Sequence, residues 1–291
     1  MRKVGVIHSN PYSSGKIAFD PRDGHTIANG GKGMGGIQFW DIHSGELKRK
    51  LPIQADTFQA LAFSPDGSVF VSGGADTGIQ FWDTHDWNSY RTITEPKGHI
   101  LDLQFSPDGS LIAANSYKDG TVRLWDVQSA ELIHTFEFGS FAFHPVESTI
   151  YIAHDDRFSI CDIESGKLDR VIQVDETVEY FVFHPQGTLI AAQIDREMIS
   201  LWHGKNMHIK RLLENPLDAR RPIFSPDGKI LAITYETTNS IILWNHETGE
   251  AIDKVEGDLG VPESLLFSPD GKVLVRGGWG LSRGYIEIWQ V

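Results

Sequence analysis

The sequence repeats itself at intervals of about forty residues, and nothing else in it restricts the possible folds so strongly. The most complete copy is Gly98–Asp126, GHILDLQFSPDGSLIAANSYKDGTVRLWD. Three short runs, LDLQF, LIAANS and TVRLW, are separated there by SPDG and KDG, both strong turn signals. The phenylalanine that closes the first run recurs as Phe19, Phe63, Phe105, Phe143, Phe183, Phe224 and Phe267. The turns after it read DPRDG, SPDG, SPDG, HPVES, HPQG, SPDG and SPDG. Proline fixes φ and glycine supplies the positive φ of a tight turn, which explains their constant offsets. A repeat array grows by adding units to a shared plan, so residues 1–291 are expected to form one domain rather than two.

The third run of each unit ends at Trp40-Asp41, Trp82-Asp83, Trp125-Asp126, Cys161-Asp162, Trp202-His203, Trp244-Asn245 and Trp289-Gln290. Six of the eight tryptophans therefore occupy one repeat position. A small turn and a fourth run follow most of them, as in HSGELKRKLPI and ESGKLDRVI. IQFWDI and VRLWDV alternate with period two, and no segment carries a helical stripe. The chain reads as all-β, with about four strands per unit.

Seven phased units closing on tryptophan and aspartate resemble the WD-repeat β-propeller family over essentially the whole chain. The resemblance implies a seven-bladed β-propeller of four-stranded antiparallel blades. Each repeat would supply the outer strand of one blade and the inner three of the next. The chain finishes on a third run, YIEIWQV, and begins with a strand-like run, RKVGVIH. Residues 2–8 are thus expected to form the outer strand of the last blade and close the ring, removing free sheet edges.

The family's buried chain of His, Ser or Thr, Asp and Trp is carried over only to the third unit. There His99, Asn115 or Ser116, Asp119 and Trp125 make a full set. Elsewhere the resemblance gives Trp40, Trp82, Trp202, Trp244 and Trp289 a structural role with partial networks or apolar packing. Cys161, in a tryptophan's place, reads as a small core residue.

Composition narrows the function. A net charge of −13 and a pI near 5.3 argue against a nucleic-acid backbone as partner. A single cysteine fits a reducing compartment, and no run approaches the roughly 20 apolar residues of a membrane span. With no signal-peptide pattern at its start, the chain is expected to be cytoplasmic. No metal or cofactor is expected. GGKGMGG matches G-x-G-x-x-G at Gly31, Gly33 and Gly36, but it leads into a strand rather than a helix N-terminus. Twelve histidines include no HExxH, and His144 and His184 take the Ser position of SPDG turns, where a capping role suits them. No G-x-S-x-G elbow is present.

The remaining signal lies in loops, which carry function on rigid scaffolds. The seventh unit has the longest connection between its second and third runs, RGGWGLSRGY from Arg276 to Tyr285. Its neighbour in a ring is the first unit, with the glycine-rich GGKGMGG. Trp279, Arg283 and Tyr285 are of the types enriched at binding hot spots. Trp279 is left between two roles, binding a partner or covering its own blade, while Trp87 reads as packing. Lys16 and Arg221, three residues before their marker phenylalanines, flank the seventh unit, and Lys32, Arg220 and Arg276 come from the same sector. Asp155, Asp156, Asp175, Glu176, Glu179, Asp195 and Glu197 belong to the fourth and fifth units, giving a polarised face.

The expected function is a non-enzymatic scaffold that binds a protein or peptide, acidic or phosphorylated, through Trp279, Arg283, Tyr285, Lys32, Arg221 and Lys16. It would act as a monomer or as a subunit of a larger complex. Two rivals are a propeller hydrolase or lactonase with a central-channel site, and a propeller of the periplasmic type.

Overall fold

Central runs such as LIAANS are apolar and small enough to be covered on both faces, whereas fourth runs such as LKRKL carry charge. This contrast sets the layering of every sheet. The strand Leu111–Ser116 is buried along almost its whole length, and the strand Leu47–Leu51 is exposed except at its last residue. The computed structural model describes residues 1–9, 16–30, 36–51, 58–75, 78–95, 98–195, 198–205, 207–213, 218–257, 261–279 and 284–291. Within them lie seven four-stranded antiparallel sheets. Sheets one to six are built in chain order from residues 16–51, 58–93, 100–137, 140–173, 178–213 and 219–256.

Sheet seven takes three strands from residues 261–290 and its fourth from Arg2–His8, which pairs antiparallel with Gly284–Gln290. Arg2 faces Gln290 and His8 faces Tyr285, so the closing strand has the bounds expected from the sequence. Each marker phenylalanine ends the first strand of its sheet, and each third strand ends on the residue after the tryptophan position. These are the blades of a seven-bladed β-propeller, the fold class implied by the repeats.

The chain forms two compact units, residues 2–136 with 259–291, and residues 137–258 with Met1. In the first unit the core lies between facing sheets. Ile17 and Ile27 of sheet one meet Val275 and Ile286 of sheet seven. Phe39 meets Phe70, and Ile79 and Phe81 of sheet two meet Leu103 and Trp125 of sheet three. Trp87 belongs to this packing: its ring lies 4.4 Å from Phe39 and 5.4 Å from the Arg49 guanidinium. In the second unit, Phe158 of sheet four packs with Phe181 and Trp202 of sheet five, and Leu201 with Leu231 and Trp244 of sheet six. Cys161 is buried in the wall of sheet four, and burial raises its thiol pKa. It is a core residue.

The turns after the first strands share one device. Ser64 Oγ donates to Asp66 Oδ1 at 2.6 Å and accepts the Val69 N–H at 2.9 Å. Ser106, Ser225 and Ser268 repeat both bonds. His144 and His184 take over the acceptor part, their Nδ1 atoms receiving N–H groups from Glu147 and Gln186. The glycine that ends such a turn is needed twice, once for its positive φ and once for space. A Cβ on Gly187 would sit 2.4 Å from His144, and one on Gly228 2.2 Å from His184, each histidine reaching over from the preceding sheet.

Candidate functional site

The hairpins of sheets seven and one were expected to form the site. Lys32 and Arg283 lie outside the described residues. The backbone of Trp279 is placed, paired with Val261 and Gly284; its side chain is outside the description. Lys16 opens sheet one opposite Gly30, half-buried, and its carbonyl accepts the Asn29 amide at 3.2 Å.

Two expected surface residues are instead inside. Tyr285 is 1% exposed, and burial pushes its phenol up to about 12. Its hydroxyl has no hydrogen-bond partner among the described residues. It cannot serve as a surface anchor. Arg276, read from sequence as part of a basic sector, is 0% exposed in the middle of its strand. The reason is length: the second strand of sheet seven runs from Val273 to Trp279, so most of the supposed loop is ladder.

Register then places Arg276 opposite Glu287, also 0% exposed, and the two form a buried ion pair. Lys3 of the closing strand reaches the same carboxylate, Nζ to Oε1 at 2.6 Å. The Arg276 guanidinium lies 5.6 Å from the Tyr285 ring and 5.8 Å from the Trp289 ring. Two cations on one carboxylate, walled by aromatic faces, suit a structural lock that ties the closing strand to its sheet. The sequence signal was available, a glutamate where third strands elsewhere carry Gln, Arg, Ser or Ile two residues before the tryptophan position.

In the unit of residues 137–258, Arg220 and Arg221 stand side by side at the start of sheet six and differ in their surroundings. Arg220 Nε lies 2.6 Å from Glu236 Oε2. Arg221 has a φ of 50° and is half-buried. At the other end of the same strands, two adjoining cavities of about 610 and 390 Å³ share Gln186, Thr188 and His203. The larger is lined by His184, whose Nε2 is 3.1 Å from Gly228 O; His246 reaches that oxygen at 2.8 Å. Burial lowers the pKa of His184, so the ring is neutral and donates from Nε2 while Nδ1 accepts. His184, like His144, braces its turn, as the sequence suggested. Among the described residues, no group of three or more His, Cys, Asp or Glu side chains is gathered to hold a metal ion.

The family model for the WD domain, G-beta repeat, matches residues 45–83 and 87–126. Those two stretches are WD repeats, and all seven sheets carry the same marker residues in the same phase.

The chain is 27% identical over 158 residues to nuclear distribution protein PAC1 of Arthroderma otae, covering 50% of this chain and 34% of that protein. It is 29% identical to the periodic tryptophan protein 2 homolog of Mus musculus along 309 aligned positions, covering 95% of this chain and 33% of that protein. The chain thus spans about a third of the length of these curated relatives.

The WD-repeat tryptophans use their ring N–H groups unevenly. Trp82 Nε1 donates to Ser72 Oγ at 3.1 Å, a partial network of the expected kind, and Trp202 Nε1 donates to Ser200 Oγ. Trp40 and Trp244 bury theirs with no partner among the described residues. In the third repeat Trp125 is buried, but His99 is exposed, so no fully buried chain runs through it. Asp119 pairs with Arg123 at 3.2 Å, a cation four residues away on the next strand.

Proposed function

We propose that this propeller is a non-catalytic scaffold that binds a protein or peptide through loops at one end of its sheets. The observation that carries the reading is how the reactive side chains are employed. His144 and His184 cap turns, Arg276 and Glu287 tie strands together, and Cys161 fills a wall. These groups build the frame rather than a reaction centre. Similarity to nuclear distribution protein PAC1 and the periodic tryptophan protein 2 homolog supports a propeller that works by contact.

The partner surface is assigned to the second-to-third strand hairpins of sheets seven and one, with Trp279, Arg283, Lys32 and Lys16 as anchors. Tyr285 drops out because it is buried. A cytoplasmic location belongs to the same proposal and rests on the single buried cysteine. The test replaces Trp279 and Arg283 together with alanine and captures partners from a native lysate. Loss of the main captured species, with the melting temperature retained, supports the surface; an unchanged set of species removes it. Turnover of esters or lactones by the purified chain would overturn the non-catalytic reading.

A further inference from the structure

The first strand of sheet six, Ala219–Phe224, holds a backbone conformation that its sequence resists. Arg221 has a φ of 50°, in the left-handed region where a long side chain crowds the neighbouring carbonyl. Pro222 follows it and narrows the choices of the residue before it. The ladder slips at this point, with Arg220 facing Thr234 and Ile223 facing Ala232. The matching strand of sheet five also slips, between Val178 and Tyr180, yet Glu179 there keeps a negative φ. Bulges re-aim side chains, and strain of this kind persists only where its surroundings enforce it.

The enforcing contacts are on sheet five. The Arg221 N–H donates to Gln193 Oε1 at 3.3 Å, and Gln193 is 4% exposed. Its Nε2 donates to Glu179 Oε2 at 3.1 Å, which fixes the amide with its oxygen toward Arg221. The bulge is therefore pinned by a buried amide that is itself pinned by a carboxylate.

Among the described residues, nothing compensates the guanidinium that this bulge presents. Arg220, one residue earlier, has Glu236. The Arg221 side chain, half-buried, makes no ion pair or hydrogen bond with any described residue. A cation partly stripped of water gains most from an anion that arrives from outside, and a guanidinium can meet an oxyanion with two parallel bonds.

We propose that Arg221 is an anion-binding residue, receiving an oxyanion carried on a peptide side chain, and that Gln193 is its positioning residue. The inference rests on the scaffold reading and gives the chemistry of what the scaffold holds. The oxyanion is a glutamate or aspartate carboxylate or a phosphoester; both present oxygens that the guanidinium grips in the same way.

Three fluorescein-labelled peptides test this by anisotropy: a glutamate-rich one, one with phosphoserine in a neutral background, and a glutamine-rich control. The wild-type chain should bind at least one anionic probe and not the control. Arg221→Gln should weaken that binding roughly tenfold to a hundredfold, as expected for hydrogen bonds to a charged group. Arg221→Gly should do the same while holding or raising the melting temperature, because glycine adopts this φ without strain. Gln193→Met should weaken binding, and combining it with Arg221→Gln should add little, since both act on one contact. The stronger anionic probe identifies the source of the oxyanion. Equal affinity in wild type and Arg221→Gly, equal binding of the glutamine control, or no binding of either anionic probe overturns the site. Lysate capture through the Trp279 and Arg283 hairpin is a separate measurement, so the scaffold reading can stand if Arg221 fails.

Discussion

Glu287, a carboxylate at zero exposure, is faced by two cations, Arg276 and Lys3. Removing one partner of a buried pair leaves the other charge without compensation, which costs more than the pair contributes. Glu287→Gln is therefore expected to lower stability by about 3–5 kcal/mol, read from urea unfolding. Arg276→Met in the same chain should restore much of that loss, and a double variant no more stable than Glu287→Gln would refute the argument. Lys3→Met should cost less, because the Lys3 side chain is 25% exposed and water can replace part of the pairing. Two glycines give a matched comparison of space against conformation. Gly45 and Gly228 have φ of 73° and 76°, but a Cβ on Gly45 meets nothing within 4 Å, whereas on Gly228 it would overlap His184. Gly45→Ala should cost about 1–2 kcal/mol for the left-handed backbone alone. Gly228→Ala should cost clearly more; equal losses in thermal melts would mean that the histidine yields freely.

The strand Arg2–His8 is joined to its sheet by a ladder with one irregularity, between Lys3 and Gly5, and by the Lys3–Glu287 contact. Without it the strand Gly284–Gln290 becomes an open edge and Glu287 loses one of its two cations. Deleting residues 1–8 should sharply lower the melting temperature, and unchanged cooperative unfolding would show that the strand is dispensable. This element could be read in the sequence because alternation, marker residues and turn chemistry all repeat, so each copy corrects the others. The end of sheet seven could not. Val273–Trp279 contains Gly277 and Gly278, and glycine is a weak strand signal that imitates a loop. Mistaking that stretch for loop moved Arg276 and Tyr285 to the surface, although the ladder buries both. His99 misled for a different reason. Its Gly-His pair matches the family pattern, but His99 is exposed and Asp119 pairs with Arg123, and neither fact is written in the repeat pattern. Arg221 was legible as a residue type at a chosen position, while its strained bulge and its tie to Gln193 depend on register between sheets.

For the whole molecule, two electrostatic effects act at different pH. The chain carries a net charge of −13 and has a pI near 5.3, so acidification from neutrality relieves self-repulsion and should hold or raise stability down to about pH 5. Below that, the repeated turns reverse the trend. Bonds from Ser64, Ser106 and Ser225, together with backbone N–H groups, lower the pKa of Asp66, Asp108 and Asp227. Bonds from Ser268 and the Lys272 N–H bring Asp270 to about 2. Burial works to raise Asp23, but the Thr26 hydroxyl and N–H and the His25 N–H outweigh it and hold it at about 2. A carboxylate whose folded pKa is depressed contributes stability that is present above its unfolded value, near 4, and lost as pH falls through the folded value. All five groups share that sign, and they recur in sheets one, two, three, six and seven. The melting temperature should therefore be flat or rising from pH 7 to 5 and fall steeply between about pH 4 and 2. Replacing Asp66, Asp108, Asp227 and Asp270 together with asparagine should lower stability at pH 7 and flatten the acid limb, because asparagine keeps an acceptor for the turn but has no proton to gain. An acid limb of unchanged steepness in that variant would assign the loss to other carboxylates and refute the turns as its source.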